Sequence, residues 1–84
     1  MKRESYSKRV LEFYNRVYRH RTRVIPWGDV SPYLCDCCGS PIKYAWRIEV
    51  GEYPDCKIYM VGRICFGYLE DLDNGINPFK EDQP

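Results

Sequence analysis

The chain has 84 residues, 44% hydrophobic and 30% charged, the make-up of one small globular domain. A chain this short buries only about 60–65% of the surface its unfolded form exposes, so its core is thin and a disulfide, metal or partner chain commonly adds stability. The net charge of +1 and pI near 7.6 argue against strong duplex binding, where a domain pI above about 9 is typical. No apolar run approaches the ~20 residues needed to span a bilayer.

The charge is unevenly laid out. Residues 1–23 hold eight Lys/Arg against two Glu, while residues 68–84 hold five Asp/Glu against one Lys. This asymmetry predicts a basic docking surface at one end and an acidic tail at the other. The start of the chain has the charges of a secretory n-region but no apolar stretch behind it. Five cysteines cannot all pair within one chain. In a reducing cytosol, close cysteines serve metals or catalysis more often than disulfides. The expected location is therefore cytoplasmic.

Residues 5–22 read as an amphipathic helix, with Tyr6, Val10, Phe13, Tyr14, Val17 and Tyr18 recurring at spacings of three and four. Ser5 or Ser7 can serve as N-cap, and Pro26 ends the pattern at the latest. Lys8, Arg9, Arg16, Arg19 and Arg23 form a cationic stretch, the candidate partner-binding surface. Interleaved with Tyr14 and Tyr18, it could also contact phosphates and stack on bases. Residues 26–34, with Pro26, Gly28, Asp29, Ser31 and Pro32, read as a loop, in which Trp27 is expected to cover the small core.

From Lys43 to Val50 the sequence alternates: Tyr44, Trp46, Ile48 and Val50 point one way, and Lys43, Ala45, Arg47 and Glu49 the other. This is a half-buried strand. Turn residues 51–55 lead into a second strand, Cys56 to Val61, with Cys56, Ile58 and Met60 on one face, so the two make a β-hairpin. Residues 63–72 turn helical, with Ile64, Cys65, Tyr68, Leu69 and Leu72 as the apolar stripe. Asn74-Gly75 is a natural stop, and residues 76–84 are expected to be a flexible tail. Asp71-Leu72-Asp73 lacks the acidic pattern and closing Glu of a calcium loop.

The segment Cys35-Asp36-Cys37-Cys38-Gly39 is the informative one. Two thiolates separated by two residues, followed by glycine, can form a tight knuckle that aims both sulfurs at one point. Residues 43 and 62 begin and end the hairpin, so knuckle and helix start meet at its open end. Cys35, Cys38 and Cys65 then converge, and their soft thiolates favour one zinc ion per chain. Cys56 sits by the hairpin tip, roughly 15–20 Å along the strand from Cys65, and is expected to be a small apolar group on the buried face. A redox reading fits less well, because the knuckle runs into Gly39-Ser40-Pro41 rather than opening a helix.

Knuckle, hairpin and helix with a ligand in its first turn resemble the treble-clef group of zinc fingers. Cys35-x-x-Cys38-Gly39-x-Pro41-Ile42-x-Tyr44 with Val61-Gly62-x-x-Cys65 is also similar to small proteins of phages and mobile elements. The resemblance spans residues 35–70. It implies a small α+β, treble-clef-like fold and a fourth ligand three residues after Cys65, where this chain has Tyr68. The fourth donor is then Cys37 or His20, with a carboxylate such as Asp71, water or a partner molecule as further candidates.

The lone His20, the lack of a glycine-rich phosphate loop and the absence of HExxH or deaminase patterns leave no catalytic constellation. The expected function is a non-catalytic, zinc-stabilised adaptor or inhibitor that binds a host or regulatory protein complex, an anti-CRISPR-like phage protein being one example. The alternative is a DNA- or RNA-binding zinc module.

Overall fold

The computed structural model describes residues 3–79. Helix α1 (Arg3–Arg16) leads through a 3-10 turn (Tyr18–His20) into β1 (Arg23–Leu34). The hairpin β2 (Pro41–Val50) and β3 (Lys57–Gly62) follows, and α2 (Arg63–Asp73) completes a small α+β fold. The sheet is antiparallel with order β1-β2-β3. Among the described residues no helix is long and apolar enough to cross a membrane.

Helix α1 buries Val10 and Phe13 as its period requires, but it stops six residues short of the expected end at residue 22. Val17 leaves the helical region at φ −123°, ψ −62°. The break swings Tyr18 fully into the core, where its hydroxyl donates to the Glu70 carboxylate. Arg21 then pairs with Asp73 at 2.8 Å and lies 4.2 Å over the Tyr18 ring. One residue of the basic stretch, Arg21, thus meets one of the acidic stretch, Asp73. Ser5 and Ser7, the expected caps, both lie inside α1, which begins at Arg3.

The largest departure from expectation is β1. Residues 26–34 are not a loop but most of a strand paired with β2, from Arg23 opposite Glu49 to Leu34 opposite Pro41. Its prolines are tolerated because the strand lies at the sheet edge, where a missing N–H faces away from the ladder. Two register shifts, between Pro26 and Gly28 and between Asp29 and Tyr33, absorb the irregular residues. Gly28 takes φ +89° at the first of them. Trp27 is not a core residue: it stays 48% exposed, with the Arg47 guanidinium 4.7 Å over its ring.

The hairpin forms in the expected place, with Ala45 opposite Gly62 and Val50 opposite Lys57. Both helices pack on one face of the sheet. Trp46 stacks on Phe66 of α2 at 4.1 Å, and Phe13 of α1 meets Tyr59 edge-on at 5.7 Å. Ile48 and Val61 are wholly buried beneath them. Tyr44, expected to point inward, is exposed with Lys43 over its ring. The other face carries Arg47, Glu49, Ile58 and Met60, since cross-strand partners share a side. No helix covers it. Glu49 is buried there, its carboxylate held by Arg47 Nε at 2.7 Å. Cys56 precedes β3 and is half-buried rather than part of the buried face, which belongs to Tyr59 and Val61.

Helix α2 buries Cys65 and Leu69, and Ile64, expected in its apolar stripe, stays 68% exposed. Gly75 takes φ +81° after the last turn. The following segment does not behave as a free tail. Phe79 is 6% exposed, packed between Tyr68 at 5.0 Å and Tyr6 at 6.4 Å. The rest of the expected tail, residues 80–84, lies outside the described residues.

Candidate metal centre

The knuckle is built by the backbone first. Cys35 N–H donates to Ser40 O at 2.9 Å, and Gly39 N–H returns to Cys35 O at 2.8 Å. Gly39 closes this turn at φ +81°, a conformation costly for any residue with a Cβ. The Arg9 guanidinium lies over it, 3.2 Å from where a Cβ would stand. Asp36 locks the knuckle to β3: its N–H donates to Met60 O at 2.9 Å, and its carboxylate accepts from Met60 N–H at 2.7 Å. Tyr33 O–H adds a bond to the same carboxylate oxygen at 3.2 Å.

The third thiol arrives from α2. Gly62, between β3 and the helix, donates its N–H to Cys35 Sγ at 3.3 Å. A Cβ there would come 2.7 Å from Ile42 Cγ2, so β2 and the helix start approach as closely as they do only because residue 62 lacks a side chain. Three residues on, Cys65 reaches the knuckle. The sulfurs of Cys35, Cys38 and Cys65 all lie within 4.8 Å of one another, and all three residues are buried. In a tetrahedral site with 2.3 Å metal–sulfur bonds, the sulfurs stand about 3.8 Å apart. The group can thus hold a metal ion with small side-chain adjustments.

Without an ion the Cys35 and Cys65 thiols keep their protons. A hydrogen bond with Cys65, followed by burial, pushes the Cys35 thiol well above its ordinary range. At Cys65 the bond with Cys35 lowers the value, but the bond with Cys37 and burial outweigh it, and the thiol is pushed up to about 12. A cation reverses this balance, since a coordinating thiol is deprotonated outright.

The candidate fourth donors separate clearly. Cys37 is buried and hydrogen-bonded with Cys65, yet it is not within the mutual 4.8 Å of the other three. His20 is exposed on the 3-10 turn and is not brought to the thiols. The adjoining Thr22 N–H bonds Glu49 O, whereas Gly62 sits opposite Ala45; four residues of β2 separate the two places, about 13 Å. Asp71, half-buried on α2, is outside the group as well.

Sequence reasoning missed Tyr6, taken only as part of the helix's apolar stripe. Its hydroxyl lies 3.2 Å from Cys65 Sγ. Burial and that contact raise the phenol far above its usual range, so it stays protonated. Tyr6, Cys35, Cys38 and Cys65 also line a cleft of about 470 Å³ between the knuckle, the start of β2 and α2. Cys37 does not reach the cleft.

The basic residues do not make one stripe. Lys8, Arg9 and Arg16 are exposed on α1, Arg19 is on the 3-10 turn and Arg23 opens β1. Arg9 is occupied over the knuckle, and Arg16 borders a hollow beside Asp36.

Comparison with known proteins finds no matching family model, no matching curated protein and no matching solved structure.

Proposed function

We propose that the chain is a non-catalytic binding module whose fold is fastened by one zinc ion on Cys35, Cys38 and Cys65, in a treble-clef-like arrangement. One observation carries this reading: three buried sulfurs, from a knuckle and a helix 27 residues apart, come together with no disulfide among them. An all-thiolate donor set is soft, which favours zinc over the oxygen-loving cations.

The partner in this reading is a protein, such as a host or regulatory complex, docked on the sheet face that no helix covers. That face offers Ile58, Met60 and the Trp27–Arg47 stack, an aromatic–arginine–aliphatic mix of the kind that anchors protein interfaces. The dispersal of Lys8, Arg9, Arg16, Arg19 and Arg23 over three elements takes support from the nucleic-acid alternative.

Elemental analysis of protein purified without added metal tests the reading and separates zinc from iron. One zinc per chain is expected in the wild type and in Cys56→Ala. Cys35→Ser and Cys38→Ser should lose it and be largely unfolded, because apparent zinc-binding energies of ~10–16 kcal/mol exceed what so small a core supplies. A metal-free protein that keeps its fold in chelator overturns the proposal. For the docking face, Ile58→Glu should keep zinc and melting temperature while losing the captured partner.

A further inference from the structure

Three protein thiolates leave a tetrahedral ion one direction unfilled, and the surroundings of that direction are specific. Cys35, Cys38 and Cys65, whose sulfurs lie within 4.8 Å of one another, all border the cleft, while Cys37 does not. Tyr6 O–H stands 3.2 Å from Cys65 Sγ on the same side, fixed by edge-on contacts with Tyr68 at 5.8 Å and Phe79 at 6.4 Å. It is therefore a positioned donor beside the open direction.

The rest of the cleft has a consistent character. Its only charged lining residues among those described, thiols aside, are Lys43 and Arg63, both cationic and both exposed. Ile42, Ile64, Pro41 and Tyr68 supply apolar walls. The cleft is thus apolar with cations at its rim, next to a position that prefers a soft donor.

Resting on the zinc reading above, we propose that the fourth coordination position opens into this cleft and binds a small organic thiol carrying a carboxylate, held as its thiolate. The incoming thiol gives its proton to solvent, its sulfur lone pair forms the bond to the ion, and the water at that position leaves. Nothing is oxidised or reduced. Tyr6 O–H donates to the bound sulfur, and Lys43 and Arg63 face the carboxylate. The result is a site whose fourth thiolate is exchangeable, in place of the closed four-cysteine shell of a purely structural centre.

The test uses the full chain loaded with cobalt(II), titrated with mercaptoacetate, with acetate and ethanethiol as controls. Metal content is measured after each titration. Mercaptoacetate should raise the near-ultraviolet sulfur-to-cobalt absorption by about one-third, the step from three thiolates to four. Ethanethiol should do so only at higher concentration, and acetate should leave the band unchanged. The double variant Lys43→Ala/Arg63→Ala should weaken mercaptoacetate about two- to fivefold, the range of an exposed ion pair. Tyr6→Phe should retain cobalt and bind the probe more weakly.

A cobalt-loaded spectrum that ignores all three compounds, and loses about a quarter of its band in Cys37→Ser, overturns the proposal by placing Cys37 in the shell. The wild-type titration stands alone if that variant does not fold. A response to acetate equal to that of mercaptoacetate overturns the thiol assignment. A chain that takes up neither cobalt nor zinc overturns the metal reading itself, an outcome the metal analysis reports separately.

Discussion

Gly62 shows how one missing side chain sets the geometry of the centre. Its N–H holds Cys35 Sγ, and the space a methyl group would occupy is already filled by Ile42. Gly62→Ala should destabilise the protein by about 1–3 kcal/mol through overpacking, read by denaturant unfolding. Ile42→Ala in the same chain should recover part of that loss. Arg21 and Asp73 give a second residue-level expectation. The guanidinium holds the Asp73 carboxyl below the ordinary carboxylate range. A lowered carboxylate value adds stability above the usual pKa and loses it as pH falls through the lowered one. The difference in unfolding free energy between wild type and Asp73→Asn should thus be small near neutrality, within the ~0.2–1 kcal/mol of an exposed pair. It should close as pH drops from about 5 towards 3.

At the level of elements, the hairpin and α2 were legible because their side chains keep a strict period: Trp46, Ile48 and Val50 face the helices as alternation requires, and Cys65, Leu69 and Leu72 follow a helical stripe. The convergence of Cys35, Cys38 and Cys65 followed from that hairpin alone, since strands that pair bring their ends together. Strand β1 was illegible for the opposite reason. Two prolines, two register shifts and a positive-φ glycine erase the period of two, and only pairing with β2 defines it as a strand. The end of α1 was misplaced because Tyr18 continues the helical spacing in sequence while a 3-10 turn delivers it to the core. Tyr6 and Asp36 could not be found from pattern, since their partners, Cys65 and Met60, are 59 and 24 residues away. The prolines and charges after α2 have the composition of a free tail, yet Phe79 anchors the segment. Phe79→Ala should cost about 3 kcal/mol, as for other buried phenylalanines, and a thermal melt would register it. It should also loosen Tyr6 and Tyr68, which line the cleft.

For the molecule as a whole, stability comes from a thin aromatic core on one side of a small sheet, with the thiol cluster at one end and the Tyr18–Glu70 and Arg21–Asp73 links joining the N-terminal segment to α2. The way Asp36 is tied to Met60 has a further consequence. Met60 is on the outer strand, and both its backbone N–H and its carbonyl are taken by one knuckle residue. The opposite border of the sheet is punctuated by Pro26 and Pro32, which resist recruitment by another chain. Under the proposed zinc reading, an ion's grip on the knuckle would therefore also guard a border that is otherwise a template for self-association. Protein stripped of metal should begin to scatter light before its helices melt, and a charge placed on the exposed side of that outer strand, as in Ile58→Lys, should delay the scattering.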